Sequence, residues 1–473
     1  MTRPQPGGAK TAIIVLSAAL VFMVAITAAL LVTRWTDTGV GPSPNAPNAP
    51  TTDTTPVTTP GKPTFLDGMK QLTTDPNPLG IIGATDNLVV LAKNGGGDNS
   101  YPTGVDKATG TTVWQGQVGD CTGLIAGKAI ACAMFTDSQR DIGETDWLDA
   151  QTGQSLGALD MSGVGPNVED RVVTSQGLLV IADDGRPDAA PGHWTATIAY
   201  FTGPGAPVWT TPVQYYLTWA DEYLYDQPFD EGQGLFAWHI HENTYVLDAQ
   251  TGFLVYQAET TTAAQIFSNR LVCVGYFDGT GTPPPGNQQV DVPGSGPVTV
   301  TTCDSSEATM MPLGPGHPDL LIRSDGVYGT PCTHTWASDP ASLTSTIWSI
   351  DGLCANDMAW DGQSTIYAAT ADGRAWAFDV NTGKVLWQGA YQTDGTDNYW
   401  DAHVSTSAGL VVVEIQSQGI LDFPNRTVLR TDNGQPMLNL TSAVAVSDGV
   451  LITSIDARVN PAWNVYVPSF GGG

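Results

Sequence analysis

Residues 365–388 read TIYAATADGRAWAFDVNTGKVLWQ. Short apolar runs separated by Asp, Asn, Thr and Gly are typical of β-strands joined by tight turns. The Asp379 carboxylate can accept hydrogen bonds from the backbone N–H groups of the turn. Gly383 permits the positive φ that a short hairpin loop commonly requires. Trp387 begins the next strand with a large apolar surface. The stretch therefore predicts a hairpin between two adjacent strands.

The same pattern, an apolar residue followed by Asp-x-x-Thr-Gly-x-x-x-aromatic, recurs along the chain. Strong copies are 105–114 (VDKATGTTVW), 148–156 (LDAQTGQSL), 247–256 (LDAQTGFLVY) and 378–387 (FDVNTGKVLW), and weaker ones are 201–209 (FTGPGAPVW) and 429–438 (LRTDNGQPML). The turn residues of the strong copies are Asp106, Thr109, Gly110 and Trp114; Asp149, Thr152 and Gly153; Asp248, Thr251 and Gly252; and Asp379, Thr382, Gly383 and Trp387. The interval from Asp248 to Asp379 has room for two degraded copies, near Asp291 and Asp339.

These copies give eight units over residues 64–473, or about 51 residues each. No long segment has a helical period, and the apolar runs at 87–92, 177–183, 270–277, 409–415 and 449–455 have the length and β-branched content of strands. A period near 40–50 with four short strands per unit is typical of a β-propeller. The sequence predicts an all-β, eight-bladed propeller, or a seven-bladed one if residues 280–345 are an insertion.

The repeat resembles that of the quinoprotein-alcohol-dehydrogenase-type propellers, often called PQQ-like repeats. Their signature is roughly Ala-x-Asp-x-x-Thr-Gly-x-x-x-Trp, which Ala377, Asp379, Thr382, Gly383 and Trp387 match. Partial matches are Asp106, Thr109, Gly110 and Trp114, and Asp248, Thr251 and Gly252 with Tyr256 in the last position. The resemblance covers most of residues 85–440 and is weak from 280 to 345. It implies the propeller fold, which serves both enzymes and scaffolds.

The enzymes of that family imply pyrroloquinoline quinone, a calcium ion, a catalytic Asp and commonly a pair of adjacent cysteines. No two cysteines are adjacent in this sequence, and the long insertions that cover the cofactor are missing. No residue can be matched to the catalytic Asp or to the calcium ligands. The resemblance therefore predicts no catalytic, cofactor-binding or metal-binding residue, and a PQQ-dependent dehydrogenase is the second hypothesis.

The N-terminal segment predicts a membrane anchor. Residues 11–33, TAIIVLSAALVFMVAITAALLVT, carry no charge, and as a helix they would span ~34 Å, against ~30 Å for the hydrocarbon core. A cleaved signal peptide has a shorter apolar region and ends in a small-residue cleavage site. Arg3, Lys10 and the α-amino group precede the span, which places residues 1–10 in the cytoplasm and everything after the span outside it.

Residues 34–63 separate the anchor from the repeats. Pro and Thr supply 15 of the 29 residues from 35 to 63. This composition cannot bury enough apolar surface to fold, so we expect an extended, disordered linker. Its clustered Thr and Pro also resemble O-glycosylated stalks.

Net charge limits the partners. Lys and Arg number 18 against 47 Asp and Glu, so the formal net charge is −29. An acidic surface repels phosphate backbones, which argues against nucleic-acid binding. Hydrophobic residues make up 41% of the chain, which excludes a mostly disordered protein.

Six cysteines suggest disulfides in an exported domain. Chain proximity favours three pairs, Cys121 with Cys132, Cys273 with Cys303, and Cys332 with Cys354. Residues 121–132, CTGLIAGKAIAC, fold about Ala126 and Gly127 into a hairpin that places the first pair opposite each other. Buried free thiols are the alternative, and no Cys-x-x-Cys spacing suggests a zinc or redox site.

Three further patterns are better explained without chemistry. GQSLG at 153–157 matches the nucleophile elbow of hydrolases, but Gly153 is the glycine of a repeat turn, whereas the elbow needs a strand-to-helix turn. His239 and His241 alternate on a predicted strand and could bind a metal with Glu242, although packing is the more common role. The acidic residues Asp221, Glu222, Asp226, Asp230 and Glu231 could hold calcium but lack EF-hand spacing, so we interpret them as a solvated loop.

These observations predict a non-enzymatic, membrane-tethered propeller outside the cytoplasm that binds a protein of the cell envelope. The functional analogy is the propeller scaffold of the bacterial outer-membrane β-barrel assembly machinery, which uses a similar repeat. A third hypothesis is a small-molecule sensor that binds its ligand in the central channel of the ring.

Overall fold

A computed structural model of the chain describes residues 69–468. The gaps in this description are 76–77, 97–98, 136–141, 188–192, 217–228, 241–242, 260, 277–286, 304–307, 314, 326–332, 371–372, 391–398, 408–409, 418–424, 431–432, 435, 441–443, 448–449 and 455–462. All described residues belong to one compact unit, Thr64–Gly473. The predicted cytoplasmic tail, transmembrane helix and linker lie outside the described residues.

The described residues form nine four-stranded sheets, which we number in chain order. Sheets 1 to 3 contain β2 (Pro78–Ala84), β3 (Leu88–Gly96), β4 (Asn99–Asp106) and β5 (Thr112–Gln115); β6 (Gly119–Cys121), β7 (Ala129–Phe135), β8 (Ile142–Asp149) and β9 (Ser155–Ala158); and β10 (Asn167–Val173), β11 (Leu178–Pro187), β12 (His193–Phe201) and β13 (Trp209–Tyr216). Sheets 4 to 6 contain β14 (Phe229–Gly232), β15 (Leu235–Ile240), β16 (Asn243–Asp248) and β17 (Leu254–Glu259); β18 (Thr261–Phe267), β19 (Leu271–Tyr276), β20 (Gln288–Val292) and β21 (Gly296–Thr302); and β22 (Ala308–Met310), β23 (Leu321–Asp325), β24 (His334–Asp339) and β25 (Ser342–Asp351). Sheets 7 to 9 contain β26 (Asp357–Trp360), β27 (Thr365–Thr370), β28 (Arg374–Asp379) and β29 (Val385–Ala390); β30 (Tyr399–Ser407), β31 (Leu410–Ser417), β32 (Asn425–Arg430) and β33 (Pro436–Leu440); and β1 (Met69–Asp75) with β34 (Val444–Ser447), β35 (Val450–Ser454) and β36 (Trp463–Pro468).

The second strand of each sheet is the most apolar. All six residues of β15 are buried, because a strand between two others in a sheet packed on both faces has no solvent side. The five apolar runs that the sequence analysis singled out fall on β3, β11, β19, β31 and β35, each the second strand of its sheet. Continuous apolar runs thus mark one strand per sheet.

Apolar clusters join neighbouring sheets. The largest lies between sheets 6 and 7, where Trp348 and Ile350 pack with Trp376 and Phe378. A similar cluster joins sheets 3 and 4 around Trp209 and Trp238, and smaller clusters join the other consecutive sheets as far as sheet 8. The core is therefore a series of layers between sheets.

The ring closes through sheet 9. β1, at the start of the described chain, pairs antiparallel with β36 near its end, and Met69 lies opposite Pro468. β34 contacts β30 of sheet 8 and β2 of sheet 1. Each sheet therefore contacts a neighbour on either side, and the all-β unit is a β-propeller.

The repeat count predicted eight blades, or seven, whereas the described residues form nine sheets. The difference arises in sheet 9. The repeat motif joins the third strand of a sheet to the fourth, but in sheet 9 these are β36 and β1, from opposite ends of the chain. No hairpin can join them, so sheet 9 has no copy of the motif.

Sheet 5 departs from the regular strand order. Its spatial order is β18-β19-β21-β20, so the chain reaches the outer strand before it returns to the third position. β19 and β21 are consequently parallel, whereas the other paired strands of the described sheets are antiparallel. The prediction of a degraded motif near Asp291 is wrong, because Asp291 lies inside β20 opposite Pro297. Asp339, the other predicted copy, does end a third strand, and its carboxylate accepts a hydrogen bond from the Ala341 N–H at 2.8 Å.

Within the described part of the chain, no helix is both long and apolar enough to cross a membrane. The predicted span at 11–33 is not among those residues.

Candidate binding surface and the irregular sector of the ring

The predicted motif turns share one geometry. In sheet 7, Asp379 Oδ1 accepts hydrogen bonds from the N–H groups of Asn381 at 3.2 Å and Thr382 at 2.9 Å, and from the Thr382 hydroxyl at 2.7 Å. The N–H of Gly383, whose φ is 66°, donates to the Asp379 carbonyl at 2.9 Å. The turns at Asp106 with Thr109, Asp149 with Thr152 and Asp248 with Thr251 repeat these bonds. The carboxylate satisfies donors that the turn would otherwise leave open.

Each motif glycine also receives a residue from the preceding sheet. A Cβ on Gly383 would lie 2.8 Å from the Trp348 ring of sheet 6. The Trp348 indole N–H donates to the Val380 carbonyl of the same turn at 2.8 Å. The same docking joins Trp114 to the turn at Gly153, Trp209 to Gly252 and Trp387 to Gly434. Glycine is therefore needed both for its positive φ and because the indole leaves no room for a side chain.

The sequence analysis assigned the motif tryptophan to its own hairpin and missed this contact with the next sheet. The fixed spacing of Gly and Trp was the available signal. At Gly110, in sheet 1, a Cβ would lie 2.0 Å from the Leu72 carbonyl of β1. The closing strand thus covers this turn in place of a tryptophan.

Burying the tryptophan exposes its predecessor. Val113, Val208, Ile347 and Leu386 each stand immediately before a docked Trp, and each is about half exposed or more. Successive residues of a strand point to opposite faces, so this position must face solvent. The other exposed large apolar side chains among the described residues are Leu156, Phe253 and Val385, at or next to fourth strands. We call Val113, Leu156, Val208, Ile347 and Leu386 the outer apolar positions.

Sheet 5, with its reversed strand order, holds its neighbour differently. Arg270, between β18 and β19, donates to the carbonyls of Ser295 and Gly296 in the β20–β21 hairpin. It also pairs with Asp248 Oδ2, in the motif turn of sheet 4, at 3.1 Å. One guanidinium thus joins the reversed hairpin to the preceding sheet.

Asp248 is nearly fully buried in this contact. Burial by itself would raise the pKa of Asp248, but hydrogen bonds from Thr251 and Ser295 and the charge of Arg270 outweigh it and lower the pKa below its usual value. An open cavity of about 350 Å³ lies beside the pair and is lined by Gln233, Gln250 and Ser295 among others. The groups facing it are mostly engaged in holding the two sheets together.

Two disulfides lie fully within the described residues. Cys121 is bonded to Cys132, and the two residues are directly opposed in β6 and β7, as the hairpin about Ala126 and Gly127 predicts. Cys273 of β19 is bonded to Cys303, which follows β21, so this bridge ties the parallel strands of sheet 5. Cys354 is also disulfide-bonded, and its predicted partner Cys332 lies outside the described residues.

The predicted acidic loop is only partly described, and its described end is not solvated. Asp230 is 2% exposed, and its carboxylate is hydrogen-bonded across the interface with sheet 5. Glu231 accepts hydrogen bonds from the Ser175 N–H at 2.7 Å and the Ser175 hydroxyl at 2.6 Å. The solvated interpretation is therefore wrong for these two residues, because both face backbone donors of neighbouring sheets. Asp221, Glu222 and Asp226 lie outside the described residues.

The remaining candidates form no reactive constellation. Residues 153–157 lie in the β8–β9 hairpin, where the Ser155 hydroxyl donates to Asp146 at 2.7 Å. His239 is buried in β15, with Nδ1 3.1 Å from the Thr244 hydroxyl, while His241 and Glu242 are outside the described residues. Across the described ranges, no group of three or more His, Cys, Asp or Glu side chains is placed to hold a metal ion.

The chain is similar in fold to three solved structures. They are BamB from Moraxella catarrhalis (15% identity, TM-score 0.42, covering 86% of this chain and 99% of that one), Sqt1 from Saccharomyces cerevisiae (11%, 0.40, 77% and 95%) and the C-terminal WD40 domain of Sif2 (8%, 0.43, 84% and 98%). No family model and no curated protein matches the chain. At these identities the similarities bear on the fold alone.

Proposed function

We propose that this protein is a non-enzymatic, membrane-tethered propeller of PQQ-like repeats that binds a protein partner of the cell envelope. The outer apolar positions carry the proposal. A solvent-facing strand position is ordinarily polar, yet Val113, Val208, Ile347 and Leu386 fill the same position in four sheets. Repeated exposed apolar side chains on one rim favour contact with another protein.

Two further features support an extracytoplasmic location. Disulfides persist in oxidising compartments, and the structure contains Cys121–Cys132 and Cys273–Cys303. The uncharged segment 11–33, with basic residues on its N-terminal side, favours a retained anchor with residues 1–10 in the cytoplasm. The linker at 34–63 would then hold the ring away from the membrane surface.

Site-specific photo-crosslinking in cells tests the partner. A photoreactive phenylalanine at Val113, Ile347 or Leu386 should give covalent adducts with an envelope protein. The matched control is the same residue at Asn381, which is exposed on a motif turn away from the rim. Adducts at the rim positions and none at Asn381 support the proposal, whereas absent adducts, or equal ones at Asn381, contradict it.

Protease accessibility tests the tether separately. In intact spheroplasts, added protease should degrade the propeller, and the protein should stay in the membrane pellet after alkaline carbonate extraction. Protection of the propeller from external protease would overturn the assigned orientation, and release by carbonate would overturn the anchor.

A further inference from the structure

A buried histidine and a buried aspartate meet where sheets 4, 5 and 6 join. Asp230 lies on β14 of sheet 4, and His317 lies on the connection between β22 and β23 of sheet 6. His317 Nε2 is 3.0 Å from Asp230 Oδ2, and both side chains are 3% exposed. The same carboxylate oxygen accepts the N–H of Ile266, on β18 of sheet 5, at 2.6 Å. One carboxylate thus links three sheets.

The geometry fixes the charge of the histidine. His317 Nδ1 is 2.7 Å from the Pro318 carbonyl oxygen, which can only accept a hydrogen bond. Nε2 faces the Asp230 carboxylate, which also accepts. A neutral imidazole has a hydrogen on one ring nitrogen and would leave one of these contacts without a donor. Both contacts are satisfied only by the imidazolium form.

The loop that carries His317 is fastened in two places. Asp319 Oδ1 accepts the Ser268 N–H of sheet 5 at 2.8 Å, two residues along the chain from the histidine. The His317 ring packs edge-on against Phe267, with ring centroids 5.1 Å apart. Asp230 is the charged group in contact with the imidazole. Glu231, beside it, is engaged with Ser175 of sheet 3, and Asp319 is turned toward Ser268.

We propose that His317 and Asp230 form a proton-controlled latch, which clamps the 315–320 loop of sheet 6 to sheets 4 and 5 while the imidazole is protonated and releases it when the proton is lost. Loss of the proton removes the hydrogen bond to one acceptor and leaves the Asp230 carboxylate buried without its counter-charge. Breaking a buried ion pair from one side is strongly unfavourable, so the loop is expected to open.

The direction of the pKa change agrees with this latch. Burial by itself would lower the pKa of His317, but the hydrogen bond and charge of Asp230, with the carbonyls of Pro318 and Ile266, raise it above its ordinary value. Because the folded pKa exceeds the unfolded one, the pair stabilises the fold fully below the unfolded value of about 6.5. This stabilisation is lost as the pH rises through the folded pKa.

Hydrogen–deuterium exchange of the full-length wild-type protein tests the latch directly. Exchange is measured at pH 6 and pH 9 and corrected for the intrinsic pH dependence. The opening equilibrium of β18, which includes the Ile266 N–H, should rise about tenfold for each unit by which the folded pKa of His317 exceeds 6.5, up to pH 9. Strand β27 in sheet 7 is the internal control and should not change. Equal corrected exchange of β18 at both pH values would overturn the proposal.

A pair of variants separates the proton from ordinary packing. His317→Gln retains an N–H donor but cannot be charged, whereas Ile266→Ala removes apolar packing from the same interface and titrates nothing. The melting-temperature deficit of His317→Gln should be largest at pH 6 and shrink toward pH 9, while that of Ile266→Ala stays constant. A constant deficit for His317→Gln would contradict the latch. Should neither variant fold, the wild-type exchange experiment still decides.

Discussion

Sheets 7 and 5 solve the same problem in different ways. Sheet 7 presents the turn from Asp379 to Gly383 to its predecessor, and Trp348 of sheet 6 fits against it. Sheet 5 reverses its last two strands and presents the β20–β21 hairpin in that place. There Arg270 joins the hairpin to sheet 4, and the Cys273–Cys303 disulfide holds the parallel strands.

The difference shows what the ring requires. Neighbouring sheets must be joined near their turns, but the join can be an indole packed on a glycine or a guanidinium shared between carbonyls and a carboxylate. The first depends on shape and burial and is insensitive to pH. The second depends on charge and is therefore coupled to the titration of Asp248. The His317–Asp230 pair lies beside the same irregular sheet.

The largest effect is expected from filling a docking glycine. Gly383→Ala places a Cβ 2.8 Å from the buried Trp348 ring at a φ of 66°, so overpacking and backbone strain should together cost about 2–4 kcal/mol. Gly294→Ala, in the sheet 5 hairpin, has a φ of 82° and open space around the new atom, so strain alone should cost about 1 kcal/mol. Thermal unfolding followed by circular dichroism measures both. Equal losses would mean that tryptophan docking does not hold sheet 7 to sheet 6.

A smaller effect is expected at the ionic join. Arg270→Met removes the bonds to Ser295, Gly296 and Asp248 and should destabilise the protein by about 1–3 kcal/mol at neutral pH. Lys384→Met is the matched control in sheet 7, where the exposed charge should change stability by no more than about 0.5 kcal/mol.

The Arg270 effect should depend on pH in a defined direction. The folded pKa of Asp248 is lowered, so its contribution is full above the unfolded value of about 3.9 and is lost as the pH falls through the folded pKa. The gap between wild type and Arg270→Met should therefore narrow in acid. A gap that stays constant from pH 7 to pH 3 would show that Arg270 acts by packing alone.

Much of the regular architecture could be predicted from sequence because its determinants are local. Asp379, Thr382 and Gly383 are within five residues, and a motif this short reports its own hairpin wherever it occurs. The apolar runs of second strands are equally local, since burial on both faces makes every residue of the run apolar. The pairing of Cys121 with Cys132 followed from a single hairpin.

The irregular sector could not be predicted because its contacts are distant in sequence. His317 lies 87 residues from Asp230, and neither belongs to a motif, so the acidic run around Asp230 was interpreted as a solvated loop. The reversal in sheet 5 removed the motif from which strand order had been inferred. The ninth sheet was missed for a related reason, since its third and fourth strands come from opposite ends of the chain.

The central claim, that sheet 5 is held by a disulfide and an ionic join where regular sheets use tryptophan docking, has one direct test. Hydrogen–deuterium exchange is compared between wild type and the double variant Cys273→Ala/Cys303→Ala. The account predicts faster exchange in β19 and β21 of sheet 5, with β27 and β28 of sheet 7 unchanged. Unchanged exchange in β19 and β21, or an equal increase in sheet 7, would contradict it.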